Sequence, residues 1–318
     1  MKTSVINIVI PLAGDENRFT KAGYNVPKPL VEVDRKAMIE KVIENLKPKQ
    51  IKYNFIFILK KDEYERYGQY LEIFSRVTNG NFTVITVSYT PKGPACTVLC
   101  AIDHINSDNE LIIANGDQMV EASIDDFIKR ARIKKASGYI MTFEASHPKW
   151  SFVRLNKNSE VIETAEKRVI SNHATAGIYY FKHGYLFVKA ALTMIEKDIR
   201  FNDDFYVCPS FNELILQKEK VLSLEIDRKR MHSMGSPEDL AKYLHFLETG
   251  YNNGDENNNS YGRKRIKVQR KSSGKSRIQS PKTVNFSKRY SNGRLGTSVT
   301  SFHRNPKPRI KNQNQGKS

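Results

Sequence analysis

Cysteine is scarce. Cys96, Cys100 and Cys208 are the only three in 318 residues. They show no paired spacing of the kind that holds a structural metal. Cys96 and Cys100 are four apart, neighbours on one face of a helix. Three thiols so placed read as packing groups in a reducing, cytoplasmic compartment. Long apolar runs are also lacking. No stretch approaches the roughly 18 residues that a bilayer requires, and Met1-Lys2-Thr3 leads directly into a strand pattern. A soluble, unprocessed protein with no membrane span is expected.

An excess of charge is missing from most of the chain as well, although the total of +18 hides this. Residues 251–318 hold 17 Lys/Arg and 2 Asp/Glu; removing them from the chain's 52 basic and 34 acidic residues leaves 35 against 32. The high pI therefore belongs to the tail and says nothing of nucleic acid at the folded part. The division expected is a folded domain over 1–250 and a basic, low-complexity tail over 251–318. Asn-rich and then Lys/Arg, Ser and Gly-rich, the tail has too few large aliphatics to offset its ordering entropy, and disorder is predicted. Its charge suits nucleic acid or another polyanion, and Tyr261, Phe286, Tyr290 and Phe302 suit base stacking.

Within the first 250 residues, apolar runs predict strands over 5–12, 31–33, 55–59, 81–88 and 111–114. Helical spacing predicts helices over 36–46 and 62–77, one from the Gly93-Pro94 turn through 105, and one from near Ile124. Alternation of this kind gives an α/β, three-layer α/β/α sandwich with a mostly parallel mixed sheet covered on both faces. Ligands then bind beyond the carboxyl ends of the strands. Further strands over 138–143, 152–155, 161–163, 175–181 and 221–226 suggest a second half-site shaping a pocket for an acceptor. Ser236-Pro237 opens the closing helix, serine as N-cap and proline at the first position.

The stretch from Ile6 to Leu30 carries the chemistry. A buried strand breaks at Ala13-Gly14 into a polar loop with Arg18, followed by Lys28 held between Pro27 and Pro29. Fixed cations and loop amides suit gripping a polyphosphate. Further on, Asp117 follows Gly116 at the tip of the 111–114 strand, where a carboxylate is placed to hold a hard cation. Mg²⁺ takes one or two such carboxylates together with phosphate oxygens.

These residues resemble the opening of the sugar-phosphate nucleotidylyltransferases, whose loop reads Leu-Ala-Gly-x-Gly-x-Arg-Phe/Leu and is followed by Pro-Lys-Pro-Leu. Leu12, Ala13, Gly14, Arg18, Phe19 and Pro27 to Leu30 match. Glu16 stands at the second glycine and Asp15 adds a carboxylate; both would repel a triphosphate unless turned to solvent or to a cation. Asn17 tolerates a left-handed backbone. The resemblance covers roughly residues 4–245 and implies a Rossmann-like, GT-A-like nucleotidyltransferase fold. It also implies a reaction joining a nucleoside triphosphate to a sugar phosphate, or a similar small phosphorylated metabolite, with release of pyrophosphate. Activated precursors for surface glycans are the expected products.

The resemblance further implies the roles. Arg18 holds the β and γ oxygens, Lys28 neutralises the α-phosphoryl group, and Asp117 binds Mg²⁺. Leu12, Ala13, Gly14, Asn17, Gly93, Asn115 and Gly116 lie on the nucleotide side. Glu166, Lys167, Thr175 and Gly177 lie on the phosphorylated-substrate side. Where many relatives carry a second metal-binding aspartate, two residues before the glycine of a Gly-Thr-Pro-Glu-Asp element, this chain has Ser233, leaving either Asp204, Glu213 or Glu238 as substitutes or a single protein carboxylate sufficing. The alternatives are a glycosyltransferase on a similar sheet, which would want an Asp-x-Asp pair where Asn115-Gly116-Asp117 stands, and an inactive nucleotide-binding protein. Homo-oligomers are among the expected states, and base preference is not readable from these loops.

Overall fold

The structure is a computed structural model that describes residues 5–15 and 17–250. Glu16 and the tail over 251–318, with its expected disorder and polyanion binding, lie outside the described residues. The first strand, Ile6–Pro11, is flanked in parallel by Tyr53–Lys60 and Leu111–Ala114, and Phe82–Val87 pairs with the outer edge of Tyr53–Lys60. On the other side His173–Phe181 runs antiparallel to Leu111–Ala114 and to Gly138–Glu144, which pairs in parallel with Val221–Ile226. The start of His173–Phe181 also pairs with Phe152–Leu155, itself antiparallel to Val161–Ala165. The result is a nine-stranded sheet. All of its strands share one direction except His173–Phe181 and Val161–Ala165, so the sheet is mixed and mostly parallel.

The continuous apolar run of the first strand reflects burial on both faces. Ile6, Ile8 and Ile10 join one core with Met38–Leu46, Gln69–Thr78, Ile124–Ile133 and Pro237–Thr249. Val9 joins a second core with Pro94–Leu99, Ile102–Ile105, Gly184–Glu196 and Phe211–Leu216. Helices thus cover both faces, giving the three-layer sandwich. Each large aliphatic or aromatic side chain fully buried in these layers contributes about 1.5–3 kcal/mol.

Three expectations need correction. The helix expected from residue 36 begins at Met38, because Glu32–Val33 and Lys36–Ala37 form a hairpin around Asp34 and Arg35, both left-handed at φ 48° and 66°. Two positive φ values in a two-residue loop match the right-handed twist of the strands. The helix expected over 62–77 divides into Lys61–Arg66 and Gln69–Thr78, with Tyr67-Gly68 between them; glycine is the weakest helix former after proline. The helix expected through 105 divides likewise into Pro94–Leu99 and Ile102–Ile105.

A small two-stranded ladder stands apart from the main sheet. Gln118–Val120 pairs antiparallel with Met231–Ser233, setting Ser233 opposite Gln118 and His232 opposite Met119. It joins the turn after the central strand to the start of the closing helix. Among the described residues no helix is long and apolar enough to cross a membrane.

Candidate active site

At the carboxyl ends of the central strands the chain places a lysine against an aspartate. Pro27, at φ −55° and ψ 147°, leads into the single 3₁₀ turn Lys28–Leu30, closed by Leu30 N–H donating to the Pro27 carbonyl at 2.9 Å and Val31 N–H to the Lys28 carbonyl at 3.1 Å. Two prolines leave this turn little freedom, so Lys28 is presented in one orientation and is only 8% exposed. Its ammonium donates to Asp117 Oδ2 at 2.6 Å. Asp117 is fixed in turn by Met234 N–H, which donates to its backbone carbonyl at 2.8 Å. Ser123, not Asp117, caps the Ile124–Ile133 helix, so the carboxylate is left to the cleft.

A cleft of about 230 Å³ lies here. Arg18, Asn115, Asp117 and Gln118 line one part, Glu166, Lys167, Thr175, Tyr179 and Tyr206 another, and Lys149, Trp150, Ser233, Gly235 and Asp239 a third. Arg18, on the short helix Asn17–Lys21, is exposed. Leu12 and Ala13 are buried, and Leu12 N–H donates to the Ile58 carbonyl at 2.8 Å. Gly14 is exposed, and Gly116 lies against the Leu12 side chain. Asn115 N–H donates to the Gly177 carbonyl at 3.0 Å. Gly177 is left-handed at φ 67°, and a Cβ there would sit 2.1 Å from Gln118 Oε1 and 2.5 Å from Asn115 Nδ2. Both the backbone and the space require glycine.

Gly93 is not an open surface for a ligand. At φ 87° it packs so closely on the 204–205 backbone that a Cβ would stand 2.6 Å from both Phe205 N and O. Pro94, next in the chain, lines the cleft instead. Asp15 is answered by a cation. It accepts hydrogen bonds from Lys60 and from Thr90 Oγ1, and the Lys60 contact chiefly holds its carboxyl below the usual carboxylate range. The charge that would repel a triphosphate is thereby offset.

Of the three candidate substitutes for a second carboxylate, none lines the cleft. Asp204 closes a tight turn with Phe201, Glu213 is buried and accepts from Lys197 Nζ at 2.7 Å, and Glu238 is exposed. Two further carboxylates line the cleft with Asp117: Glu166 and, at the third position of the closing helix, Asp239. Its sequence context, Ser-Pro-Glu-Asp, reads as a helix start, which conceals any second use. Among the described residues no group of three His, Cys, Asp or Glu side chains suited to a metal is present. The oxygen donors Asp117, Asp239 and Ser233 nonetheless fit a hard cation that also takes phosphate oxygens.

On the far side, Glu166 accepts a hydrogen bond from Ser151 Oγ. Burial pushes its carboxyl above the usual range, against the opposing influence of Ser151 and Lys167. The folded chain therefore binds a proton here more tightly than the unfolded chain does. This stabilisation is complete below the unfolded carboxyl pKa and is lost as pH rises through the higher folded one. Glu166→Gln is expected to flatten that part of the stability profile, and to gain on the wild type as pH rises through this window. Melting temperatures measured from acid to neutral pH test this; parallel curves for the two proteins would count against it. Lys167, left-handed at φ 49°, donates to the Tyr206 hydroxyl at 2.9 Å with its ammonium over the Tyr206 and Phe201 rings. Thr175 Oγ1 is hydrogen-bonded to the Tyr179 hydroxyl at 2.9 Å.

The nucleotidyl transferase family matches residues 9–248. The chain is 26% identical over 200 residues to the mannose-1-phosphate guanylyltransferase catalytic subunit beta of Dictyostelium discoideum, covering 60% of this chain and 54% of that one. It is 24% identical over 246 residues to the bifunctional protein GlmU of Methanocaldococcus jannaschii, covering 76% and 54%. The chain thus spans about half the length of these curated relatives. Among solved structures it resembles a nucleoside-diphosphate-sugar pyrophosphorylase from Vibrio cholerae RC9, with a TM-score of 0.65 and 22% identity over 75% of this chain and 99% of that one. At that identity the likeness establishes the fold.

Proposed function

Since the chain belongs to the nucleotidyl transferase family, we propose that it transfers a nucleotidyl group from a nucleoside triphosphate to a sugar phosphate or similar small phosphorylated metabolite. A phosphate oxygen of the acceptor attacks the α-phosphorus, the bond from that phosphorus to the β-bridging oxygen breaks, and pyrophosphate leaves. The product is an activated, nucleotide-linked precursor for glycan synthesis. The observation that carries this reading is the 2.6 Å contact of the buried Lys28 with Asp117, which lines the cleft together with Arg18. Phosphoryl chemistry of this kind needs charge neutralisation and in-line positioning more than covalent help.

Arg18 serves the leaving pyrophosphate, and Lys28 serves the α-phosphoryl group as charge develops on it. Asp117 would hold a Mg²⁺ ion, which when bound supplies charge neutralisation to the phosphates. Gly14, Asn17 and the Asn115-Gly116 turn face the nucleotide, and the buried Leu12 and Ala13 hold the loop in place; Gly93 acts by shaping the turn that presents Pro94. Glu166, Lys167, Thr175 and Gly177 form the acceptor side, with the Lys167 ammonium aimed by Tyr206 at the acceptor phosphate. A cytoplasmic setting, where triphosphates and free thiols are both available, fits this chemistry.

The test is pyrophosphate release from CTP, UTP, GTP, ATP and dTTP, each with a panel of phosphorylated sugars and polyols. A glycosyltransferase or a plain nucleotide-binding protein would release none. Lys167→Met is expected to raise the acceptor KM by about tenfold or more, the scale of a lost charge-assisted hydrogen bond, while leaving the triphosphate KM unchanged. Equal effects on both would remove Lys167 from the acceptor side. The tail over 251–318 we assign to polyanion binding. A chain ending at Gly250 should keep full turnover and elute from heparin at much lower salt than the whole protein; unchanged elution would refute the assignment.

A further inference from the structure

The family position for a second metal-binding carboxylate holds a serine here, yet the cleft contains, besides Asp117 and the Ser151-bonded Glu166, the carboxylate of Asp239. The two facts are connected. Ser233 Oγ accepts from Gly235 N–H at 3.3 Å and donates to Asp239 Oδ2 at 3.2 Å. The serine therefore fixes one oxygen of an aspartate that arrives from the first turn of the next helix. The other oxygen, Oδ1, accepts from Lys149 Nζ at 3.2 Å, and that ammonium lies 4.6 Å from the Trp150 ring centroid.

The place where these groups converge is the space over Gly235. A Cβ at Gly235 would stand 3.1 Å from Asp117 Oδ2 and 3.5 Å from Ser233 Oγ. Glycine keeps that space clear between Asp117 on one side and the Ser233–Asp239 pair on the other. The two carboxylates are about equally sheltered, their side chains 19% and 17% exposed, and each is matched by one lysine. One further polar atom of the cleft wall, which packs against Gly177, is unpartnered among the described residues. Gln118 Oε1, adjacent to Asp117 in the chain and part of the same cleft, is buried and has no hydrogen-bond partner.

We infer that Asp239 is the second carboxylate ligand of the divalent cation, with Ser233 as the positioning residue that sets its oxygen. The role has moved six positions along the chain, from the strand Met231–Ser233 to the helix Pro237–Thr249. Two carboxylates and a nearby hydroxyl are a hard-oxygen set of the kind Mg²⁺ and Mn²⁺ take alongside phosphate and water. Lys28 and Lys149 each pair with one of the two carboxylates, and a cation held by Asp117 and Asp239 would supply charge neutralisation to the phosphates.

This inference rests on the nucleotidyl-transfer reading for its purpose, but its test needs no turnover. Mn²⁺ alone is titrated into the full chain and free ion is followed by electron paramagnetic resonance. Asp239→Asn should weaken Mn²⁺ binding about tenfold or more. The exchange Ser233→Asp with Asp239→Asn returns a carboxylate to the strand position and should recover most of that loss. Asp204→Asn, Glu213→Gln and Glu238→Gln should bind as the wild type does. Thermal melts confirm that each protein titrated is folded. Wild-type affinity in folded Asp239→Asn overturns the inference, as does failure of the folded exchange variant to recover, or a loss that falls on Asp204, Glu213 or Glu238 instead. Pyrophosphate release that persists beside any of these negative results leaves the function standing and removes only Asp239.

Discussion

Lys28→Met should lower the rate of pyrophosphate release by about a hundredfold or more, equivalent to ~2.7 kcal/mol of barrier. Methionine keeps most of the lysine stem and removes only the charge. The 3₁₀ turn between Pro27 and Pro29 is held by its own backbone hydrogen bonds, so the fold should persist with a modestly lower melting temperature. The loss should fall on turnover and not on triphosphate binding, because the ammonium acts where charge accumulates as the α-phosphorus is attacked. Steady-state kinetics over both substrates separates the two. Turnover near the wild-type rate would end the assignment of Lys28 to the α-phosphoryl group.

Asp117→Asn should be at least as damaging, again about a hundredfold or more in turnover, with a rise in the Mg²⁺ concentration needed for half-maximal rate. Asparagine preserves the shape of the turn and the carbonyl that Met234 N–H engages, while removing the charge that pairs with Lys28. Because the two side chains touch, their effects should not multiply. Groups that act as one unit lose most of their function when either is removed, so the double variant should resemble the worse single variant. Rate losses that multiply in full would show that the contact has no part in the reaction.

Much of this arrangement was legible in the amino-acid order, and what was not has identifiable physical causes. The strands announce themselves as apolar runs because the central ones are buried on both faces, as Ile6 to Ile10 are in two different cores. The helix breaks at Tyr67-Gly68 and after Leu99 are harder to see, since apolar residues continue at helical spacing on both sides. The Glu32–Ala37 hairpin carries no local signal because its turn residues, Asp34 and Arg35, are not the Asn-Gly or Asp-Gly pair that marks such loops. Within the site, Arg18, Lys28 and Asp117 stand out because each follows a strand and a small or rigid residue. Their meeting could only be inferred, as Lys28 and Asp117 are 89 positions apart.

Asp239 was hidden for a different reason. A carboxylate in the first turn of a helix is favoured by the helix dipole and by the open backbone amides there, so the local pattern accounts for it completely. Lys149, Trp150 and Ser151 were hidden because they precede a short strand with no motif of their own. Only the sheet register, which carries Phe152–Leu155 beside the start of His173–Phe181, brings them to the cleft.

The pairing of Gln118–Val120 with Met231–Ser233 has a consequence for the order in which the protein comes into being. The first half of the sheet can assemble while the ribosome is still translating, but the aspartate at position 117 has nothing to anchor its carbonyl until Met234 has emerged. A nascent or clipped polypeptide stopping short of that point would have much of its architecture and no finished catalytic centre. Activity should therefore switch on only once Met234 is available to the Asp117 carbonyl, and a cut just before Met234 should abolish it while most of the protein remains folded.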